Sequence, residues 1–396
     1  MIARAPYLFL LLILIPDLYF DWHFWRRKLP LAGRLLRWMP SIVLVAITLK
    51  LTYEKDFIPT PPTLLYIYLL LLGLIAIPKM VYMLCSIIGL ACSRMFHRKG
   101  SSQPQKHRNY GNLVGLLLVP VLWFVIIYGS FFGFQKLEVN HHTFVSSDLP
   151  KAFDGYKIVL FSDAHVGTYA GNMQWVLKQA IDSINAQRPD LIVFTGDLQN
   201  IQPSELYQQI DILSSLKAKD GVFSVLGNHD YAQYVSCDDA MKIANCRETV
   251  SLEKQMGWTL LQNEHRIIER NKERIIIAGM ENDGDGKHFP QKGNIKATLS
   301  SLKTKRDDFI IMLEHDPSSW RRKIIPDHRA QLTLSGHTHA MQFSLFGWSP
   351  MSLTGKEWNG WYTEQQQSLF VTAGLGGVIP FRFGATGEIV VLTLKR

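Results

Sequence analysis

Several common signatures are missing from this chain of 396 residues, and each absence excludes a class of protein. There is no Gly-x-Ser-x-Gly elbow, which excludes serine hydrolases of the α/β type. There is no phosphate-binding loop, which excludes the P-loop nucleotide hydrolases. We find no internal repeat and no low-complexity tract. Only four cysteines are present, and none has Cys-x-x-Cys spacing, which argues against a zinc ribbon.

The four cysteines form two pairs in different surroundings. Cys85 and Cys92 lie in an apolar run and are interpreted as small buried hydrophobic residues. Cys237 and Cys246 lie in a polar stretch, where they would close a short disulfide loop if the domain faced an oxidising compartment. The spacing is equally compatible with two free thiols, so the sequence leaves both open.

Net positive charge is missing from the C-terminal part of the chain, although the formal net charge is +9 and the pI about 9.2. Residues 1–150 contain 15 Lys and Arg against 6 Asp and Glu, out of 42 and 33 in the chain, so the remaining residues hold 27 of each. We expect no nucleic-acid partner, because that part offers no net basic charge to phosphates. The N-terminal excess instead suits a membrane protein.

Four apolar runs in the N-terminal part predict transmembrane helices. The last run has no charged side chain and is long enough to cross about 30 Å of hydrocarbon. A cleavable signal peptide is the alternative for the first run, but no small-residue cleavage pattern follows it. The runs are Pro6 to Trp25, Trp38 to Tyr53, residues 62–93, and Leu113 to Phe134.

Charged residues in the first and third runs have separate interpretations. Asp17 and Asp21 lie four residues apart, on one face of the first predicted helix, and are interpreted as bundle-facing or interfacial carboxylates. Lys79 follows Pro78 in the third run. We expect a kink at the proline and a lysine side chain that reaches toward the lipid headgroups.

The segments between the runs predict the orientation. Basic residues concentrate between the first and second runs and between the third and fourth, whereas Glu54, Lys55 and Asp56 nearly cancel between the second and third. The two basic sets are Arg26, Arg27, Lys28, Arg34 and Arg37, and Arg94, Arg98, Lys99, Lys106 and Arg108. By the positive-inside rule both basic segments are cytoplasmic. We therefore expect an integral protein of the cell inner or plasma membrane whose C-terminal domain is extracytoplasmic.

The C-terminal part alternates between strands and amphipathic helices, which is typical of an α/β domain. We divide the chain into a transmembrane region (residues 1–135), a linker (136–150) and a C-terminal domain (151–396). One helix is predicted from the spacing of Trp175, Val176, Ala180, Ile181 and Ile184, and another from Leu206, Ile210 and Leu213. The predicted buried strands are Lys157–Phe161, Leu191–Thr195, Val222–Leu226, Arg274–Ala278, Phe309–Leu313, Gln331–Leu334, Leu369–Thr372 and Glu388–Leu394.

Five short clusters of histidine and carboxylate residues occur in this domain. Each follows a run of apolar or β-branched residues, and ligand sites in open α/β sheets lie just beyond strand ends. A glycine precedes three of the proposed ligands and lets the backbone adopt unusual conformations or approach a ligand closely. The clusters are Asp163-Ala164-His165, Gly196-Asp197, Gly227-Asn228-His229-Asp230, Glu314-His315-Asp316 and Gly336-His337-Thr338-His339.

Hard and borderline divalent cations prefer these side chains as ligands. Asp163 and His165 are two residues apart and share one face of an extended strand end. Asp197 has a carboxylate that can bridge two ions, and Asn228 offers a neutral amide oxygen. Two ions about 3.5–4 Å apart can clamp the attacking and leaving oxygens of a phosphoryl transfer. The ordered clusters therefore predict a two-metal hydrolase.

The five clusters resemble the signature of the calcineurin-like metallophosphoesterases: D-x-H, G-D, G-N-H-D/E, H and G-H-x-H. The resemblance covers residues 155–396 and implies a four-layer αββα sandwich with a dinuclear site at one edge. His229 would be the catalytic imidazole that helps the leaving group depart, and Asp230 would orient it. Two divalent ions (Mn, Fe, Zn or Mg) are implied, one bound by Asp163, His165, Asp197 and His339, the other by Asp197, Asn228, His315 and His337.

The last cluster, with Arg382-Phe383-Gly384, is similar to a bacterial subgroup of membrane-associated or exported phosphodiesterase-like members. That subgroup often has two glycines after Gly-His-Thr-His, where this chain has Ala340 and Met341. The first cluster has Ala164 where a larger aliphatic residue is common. Neither departure removes a ligand, so both concern only the shape of the substrate pocket.

Other candidate residues have simpler interpretations. The segment Asp283-Gly284-Asp285-Gly286 lacks the spacing and closing glutamate of a calcium loop and is interpreted as a loop beside the active site. Three further histidines are interpreted as surface or structural residues: His265, His288 and His328. An aromatic group after the last cluster suits either core packing or a rim facing acyl chains or a membrane: Phe346, Trp348, Trp358 and Trp361.

We expect a membrane-anchored phosphoesterase that hydrolyses a phosphomonoester or phosphodiester, and anchoring favours an envelope or lipid-linked substrate. One alternative is a nucleotide-sugar lipid pyrophosphatase, whose usual cytoplasmic substrate conflicts with the predicted orientation. The other is a membrane sensor or scaffold that binds metal without turnover, which the intact ligand clusters and His229 argue against. The sequence leaves the oligomeric state open.

Overall fold

The computed structural model describes residues 5–54, 62–95, 108–287, 289–302 and 308–396. The chain forms two compact units, Met1–Phe131 and Phe132–Arg396. Several residues used in the sequence analysis lie outside the described residues: Lys55, Asp56, Arg98, Lys99, Lys106 and His288.

Among its described residues, the N-terminal unit contains four long apolar helices: α1 (Ala5–Phe20), α2 (Leu31–Tyr53), α3 (Thr63–Met95) and α4 (Tyr110–Tyr128). Helices α1 and α4 each continue into a short π-helical turn, so the candidate membrane spans run Pro6–Trp25, Leu31–Tyr53, Thr63–Met95 and Tyr110–Gly133. By length and composition all four can cross a membrane. The second begins at Leu31 instead of Trp38, so Arg34 and Arg37 belong to a helix and not to the preceding segment.

Ion pairs inside the N-terminal unit correct one expectation. Lys79 Nζ lies 2.6 Å from Oδ1 of the fully buried Asp17 and 3.0 Å from Ser41 Oγ. Lys79 is therefore paired within the unit and does not reach toward the headgroups, because a charge at the bilayer centre costs roughly 2.5–3.5 kcal/mol or more unless it finds a partner. Arg34 donates two hydrogen bonds to Asp21, so both carboxylates of the first span are paired with basic side chains.

The C-terminal unit contains, among its described residues, twelve strands. They are β1 (Leu137–Val145), β2 (Lys157–Phe161), β3 (Leu191–Phe194), β4 (Val222–Ser224), β5 (Thr259–Leu260), β6 (Glu264–Arg270), β7 (Glu273–Gly279), β8 (Phe309–Leu313), β9 (Leu332–Ser335), β10 (Gly360–Glu364), β11 (Gln367–Val371) and β12 (Gly387–Lys395). They form two six-stranded sheets, ordered β1-β12-β2-β3-β4-β5 and β10-β11-β9-β8-β7-β6. Strands β2 to β5 are mutually parallel, as are β7, β8, β9 and β11. Both sheets are mixed, because β12 and the β6 and β10 edges run antiparallel to a neighbour.

Alternating side chains of the central strands fill two kinds of core. In β2, Ile158 and Leu160 face the second sheet, whereas Val159 and Phe161 pack toward the first helical layer. Alternate residues of β8 pack on the far side of the second sheet against Trp320.

The described helices of the C-terminal unit are α5 (Gln174–Ala186), α6 (Ile210–Leu213), α7 (Asp239–Gln255), α8 (Ile295–Thr298) and α9 (Ile325–Asp327). The predicted fold class, a helical membrane region plus a four-layer αββα sandwich, is confirmed.

All eight strands predicted from the sequence are present, and the four that were missed are the four sheet edges β1, β5, β6 and β10. An edge strand contacts a neighbour on one side only, so it lacks the continuous apolar run of a central strand. Strand β1 also corrects the interpretation of residues 136–150 as a linker. It pairs in parallel with β12 over its whole length, from Leu137 with Gly387 to Val145 with Lys395.

Two smaller expectations also change. Helix α5 buries the predicted apolar residues except Trp175, which is 51% exposed. The segment around Leu206 and Leu213 is not one helix, because a 3₁₀ turn (Pro203–Leu206) precedes the separate α6. In the described part of the chain all four cysteines are free thiols, and Cys246 packs beside a small apolar cluster.

Glu253 of α7 is a fully buried carboxyl group next to β4. Its Oε2 accepts a hydrogen bond from Ser224 Oγ at 2.5 Å, and its Oε1 has no hydrogen-bond partner among the described residues. Burial raises the pKa of Glu253 to about 8. The neutral acid is therefore the favoured form in the folded protein at neutral pH.

Glu253→Gln is expected to make the C-terminal unit more stable at high pH. Because the folded pKa lies above the unfolded value, this carboxyl contributes stability that is complete below about pH 4.5 and is lost as the pH rises through about 8. The variant should match the free energy of unfolding of wild type near pH 5 and exceed it near pH 9 by several kcal/mol. Urea unfolding followed by tryptophan fluorescence measures this difference. Exposed Glu269→Gln is the control, and a difference for Glu253→Gln that does not vary with pH would contradict the prediction.

Candidate metal centre

The five predicted clusters meet at one edge of the sandwich. They follow the C-terminal ends of β2, β3, β4, β8 and β9, which are parallel strands of the two sheets. Their ligand atoms form two groups, each with all atoms within 4.8 Å of one another. The first group is Asp163, His165, Asp197 and His339, and the second is Asp197, His315 and His337. Asp197 belongs to both groups.

The first group places nitrogen and oxygen donors around a common point. His165 Nε2 lies 3.2 Å from His339 Nε2, which lies 3.2 Å from Asp163 Oδ1. The Nδ1 atoms of both histidines are buried and have no hydrogen-bond partner among the described residues. Burial lowers the pKa of His165 well below 6.5 and that of His339 to about 4, so both rings are neutral at pH 7, the form that binds metals. Two facing ring nitrogens beside carboxylates fit a divalent cation.

The second group contains a further oxygen donor. Asn228 Oδ1 lies 2.8 Å from His337 Nδ1 and 3.1 Å from His315 Nε2, which is 3.2 Å from Asp197 Oδ2. His315 Nδ1 donates to the carbonyl of Thr195 at 2.7 Å, which directs Nε2 into the group. Burial opposes protonation of His315, but the Asp197 carboxylate raises its pKa to about 10, so binding of a cation at Nε2 would release a proton.

Backbone strain is concentrated at the proposed ligands. Their φ angles lie in the left-handed region: Asp163 (52°), His165 (46°), Asp197 (61°), His337 (75°) and His339 (50°). Such conformations cost on the order of 1–3 kcal/mol per residue and persist where the surrounding structure enforces them, which is common at functional sites. Unusual conformations were expected of the glycines that precede the ligands, but it is mainly the ligands themselves that adopt them.

The glycines act chiefly through close approach. A Cβ atom on Gly336 would lie 2.3 Å from Asp163 Oδ2, and one on Gly227 would lie 2.2 Å from Asp197 Oδ1. Both distances are far inside van der Waals contact, so any side chain at these positions would displace a carboxylate of the site. Gly196 alone among the three motif glycines has a positive φ, 94°.

Asp230 has a different role from the one expected. Its carboxylate accepts backbone hydrogen bonds from Asp197 (2.8 Å), Leu198 (2.9 Å), Gln199 (3.3 Å) and Gly227 (2.9 Å). It thus ties the loop after β3 to the loop after β4 and does not orient the His229 ring. Burial and the nearby Asp197 raise the pKa of Asp230 to about 7, and the backbone N–H groups partly offset this rise.

His229 is oriented by a backbone carbonyl that the sequence analysis missed. Its Nδ1 lies 2.5 Å from the carbonyl oxygen of Asn200. Because a carbonyl only accepts, Nδ1 carries the hydrogen, and Nε2 is the nitrogen available for proton transfer. The ring also packs on Tyr234, with centroids 4.3 Å apart, and edge-on to His165 at 4.8 Å. The Tyr234 hydroxyl accepts a hydrogen bond from Asn228 Nδ2 at 2.7 Å, which directs the amide oxygen toward the second group.

Glu205 holds the loop that presents Asn200. Its partly buried carboxyl group accepts hydrogen bonds from the backbone N–H groups of Asn200, Ile201 and Gln202, and desolvation raises its pKa to about 7. Asn200 Nδ2 donates to Thr168 Oγ1 at 2.9 Å. A side-chain motif could not identify Asn200, because its contact with His229 is made by the backbone.

Arg382 holds a backbone loop next to the first cluster, a role that its sequence motif did not predict. Its fully buried guanidinium donates to the carbonyl oxygens of Ala373, Gly374, Gly376, Ala385 and Thr386. The loop it holds donates two backbone hydrogen bonds at the first cluster, from Leu375 to the Ser162 carbonyl and from Gly376 to the Asp163 carbonyl. Burial lowers the pKa of Arg382.

The remaining candidates lie outside the two ligand groups. Asp283 is ion-paired with Arg322 and Lys323, and His328 is exposed. The ring of His265 contacts the carbonyl of Thr298 and the hydroxyl of Ser301, as expected of a structural histidine. The aromatic group divides, since Trp361 stacks on Phe144 whereas Phe346 and Trp348 are exposed.

A four-layer αββα fold with adjacent histidine and carboxylate groups at its edge defines the class of dimetal phosphoesterases. Comparison of the sequence with family descriptions agrees. Residues 156–341 match "Calcineurin-like phosphoesterase", and residues 2–134 match "Probable Calcineurin-like phosphoesterase, transmembrane domain".

Similar proteins occur in bacteria and animals. The chain is 34% identical to the uncharacterized metallophosphoesterase YkuE of Bacillus subtilis, over 68% of this chain and 89% of that protein. It is 28% identical to the transmembrane protein with metallophosphoesterase domain of Danio rerio, over 72% of this chain and 62% of that protein. It is 26% identical to the UDP-2,3-diacylglucosamine pyrophosphatase LpxG of Chlamydia trachomatis, over 71% of this chain and 95% of that protein.

The chain therefore belongs to the calcineurin-like phosphoesterase family. It is a metal-dependent phosphoester hydrolase with four candidate membrane spans, and so an integral membrane protein. Members of this family use two divalent metal ions, and the two ligand groups provide a suitable donor set for them.

Proposed function

We propose that this protein hydrolyses a phosphodiester or pyrophosphate bond of a lipid-linked substrate at the extracytoplasmic face of the membrane. The observation that carries the proposal is the shared position of Asp197 in two adjacent ligand groups, with His229 beside them. Attachment to four candidate membrane spans keeps the site near a bilayer, which favours a substrate that resides there. We propose residues 1–135 as the membrane region and residues 151–396 as the hydrolase domain, with β1 (Leu137–Val145) of the intervening segment completing the first sheet of that domain.

The roles of the side chains follow from their positions. One ion would be held by Asp163, His165, Asp197 and His339, and the other by Asp197, Asn228, His315 and His337. Bound divalent ions supply Lewis acidity that polarises phosphoryl oxygens and provides a nucleophile at neutral pH. His229, its Nδ1 hydrogen held by Asn200, would donate a proton from Nε2 to the departing oxygen. Asp230 would keep the two motif loops in register.

The charge distribution supports the outward orientation. Arg26, Arg27 and Lys28 lie between the first and second spans. Arg94 lies near the C-terminal end of the third span, and Arg108 lies just before the fourth. The ion pair with Asp21 neutralises the charge of Arg34, but the net charge of the residues around this segment stays positive. By the positive-inside rule these segments are cytoplasmic, so the chain leaves the fourth span on the outer side.

Protease accessibility tests this orientation. Protease added outside spheroplasts that express the full chain should cut within residues 132–396. No detergent should be needed to expose these cleavage sites. A cytoplasmic marker enzyme that stays intact serves as the control. Protection of residues 132–396 until detergent is added would overturn the outward assignment.

A second candidate is favoured by the relative named as a UDP-2,3-diacylglucosamine pyrophosphatase. Hydrolysis of a nucleotide-linked acylated sugar would use the same ligand groups, because a pyrophosphate presents the same phosphoryl oxygens to the ions.

Full-length protein in nanodiscs with Mn²⁺ should be assayed on lipid phosphodiesters, lipid pyrophosphates and UDP-diacylglucosamine. Preference for the UDP compound together with protease protection would select this candidate. Inactivity on all phosphoesters, including aryl diesters, would leave a non-catalytic scaffold.

A further inference from the structure

An exposed apolar segment begins directly after the last metal-ligand cluster. From Ala340 to Gly355 the chain has no charged side chain. Large hydrophobic residues in this stretch are nonetheless open to solvent: Met341 (55% exposed), Leu345 (46%), Phe346 (100%), Trp348 (47%) and Leu353 (78%). Soluble proteins seldom expose so many large apolar side chains together without a partner.

The most exposed residue lies at the tip of a tight turn, the apolar hairpin of residues 345–348. Leu345 and Trp348 exchange two backbone hydrogen bonds, of 2.8 and 3.0 Å. Phe346 and Gly347 form the turn with φ of 52° and 80°, the geometry of a type I′ hairpin that favours Asn or Gly at both positions. A phenylalanine in this conformation is uncommon, and here its side chain points into solvent. Its presence is not explained by the packing of the C-terminal unit.

The apolar hairpin is fixed to the metal centre. Gln342 Nε2 donates to the carbonyl oxygens of Ile379 (3.0 Å) and Phe381 (2.7 Å), and the backbones of Ser344 and Phe383 are joined at 2.7 Å. The loop that contains Ile379, Phe381 and Phe383 follows directly on Leu375 and Gly376. The backbone N–H groups of these two residues donate to the Ser162 and Asp163 carbonyls. Ile379, whose carbonyl accepts from Gln342, is itself 41% exposed and adds another exposed apolar side chain to this loop. Hairpin and ligands form one connected structure within the C-terminal unit.

We propose that the apolar hairpin inserts into the lipid leaflet and that lipid substrates reach the metal centre along it. The delivery step rests on the function proposed above, whereas insertion does not. A bilayer is the occupant that the observations favour. Tryptophan and phenylalanine at an uncharged tip match the side chains that settle at membrane interfaces, and a protein-binding surface would be expected to carry a polar rim with charges. The chain is an integral membrane protein, so lipid is always within reach.

Site-specific fluorescence tests insertion without reference to catalysis. Phe346→Cys, in full-length protein whose four native cysteines are replaced by serine or alanine, is labelled with an environment-sensitive dye and placed in nanodiscs of phosphatidylcholine and phosphatidylglycerol. Lipids with doxyl groups on their acyl chains should quench this dye severalfold more than a dye at Asp182→Cys, an exposed position of α5. Equal quenching at the two positions, or none at position 346, would overturn the proposal.

Substrate delivery is tested by a ratio of activities. The double variant Phe346→Ser with Trp348→Ser is expected to lower the ratio of lipid-diester to soluble aryl-diester turnover about tenfold, because only the lipid needs the hairpin. Trp175→Ser, which removes an equally exposed tryptophan from α5, should leave the ratio unchanged. Insertion with an unchanged ratio would overturn the delivery role. If wild type hydrolyses no phosphoester, the proposed function fails, while the quenching result still decides insertion.

Discussion

Replacing Asp197 with Asn should abolish hydrolysis, with a fall in kcat on the order of 10³-fold or more. The carboxylate is the one side chain common to both ligand groups, with Oδ2 placed 3.2 Å from His315 Nε2 and 3.7 Å from His165 Nε2. An amide nitrogen in place of Oδ2 cannot ligate a cation and cannot supply the negative charge that offsets two divalent ions. Both metal sites should therefore weaken together.

The fold should survive this substitution. Asp197 Oδ1 accepts the backbone hydrogen bond of His229 at 2.8 Å, and the amide oxygen of asparagine can replace it. The measurements are turnover of an aryl phosphodiester with Mn²⁺ and metal content by mass spectrometry, on protein with unchanged membrane insertion. Asp182→Asn, an exposed carboxylate of the same unit, is the matched control. Activity above about a tenth of wild type, or retention of both ions, would contradict the assignment of Asp197 as a shared ligand.

Replacing His229 with Ala should lower kcat by about 10²- to 10⁴-fold while both metal ions remain bound. The ring is not a member of either ligand group, and its Nδ1 hydrogen is held by the Asn200 carbonyl. The other ring nitrogen is then free to protonate the leaving oxygen. Loss should be larger for an alkyl ester, whose alkoxide needs a proton, than for a nitrophenyl ester, whose anion leaves unaided.

The leaving-group comparison separates this role from a merely structural one. Rates are measured for wild type and His229→Ala with the two esters at matched metal occupancy. His265→Ala, at the structural histidine that contacts Thr298, is the control and should leave both rates near wild type. An equal loss with both esters would show that His229 positions the phosphate and does not act as the proton donor. Loss of metal would place it among the ligands.

The central strands were predictable because burial on both faces requires continuous apolar sequence, as in Phe309–Leu313. The edge strands were not predictable in this way. Leu137–Val145 alternates in exposure and contains two histidines and an asparagine, so its sequence resembles a connecting segment. Its pairing with Gly387–Lys395, at the far end of the chain, depends on a partner that local sequence does not reveal. The same reasoning applies to Glu264–Arg270, whose charged residues line a solvent-facing edge.

The membrane unit shows a similar division. Length and hydropathy were sufficient to predict four spans. The partner of Lys79 was not predictable, because Asp17 and Ser41 lie on other helices and only helix packing brings them within hydrogen-bonding distance. The snorkelling expected of Lys79 assumed an isolated helix surrounded by lipid.

The sequence by itself determined the class of the protein, the side chains available for two metal ions and the presence of a membrane unit, because each depends on residue type and spacing along the chain. Tertiary structure decided how those side chains are held. Asn200 presents a carbonyl to His229, Asp230 fastens two loops, and Arg382 gathers five carbonyls behind Asp163. Nearly every residue offers the same backbone N–H and C=O groups, so the sequence does not show which of them make these contacts. The exposed hairpin at Phe346 is likewise visible only once the fold shows which apolar residues remain unburied.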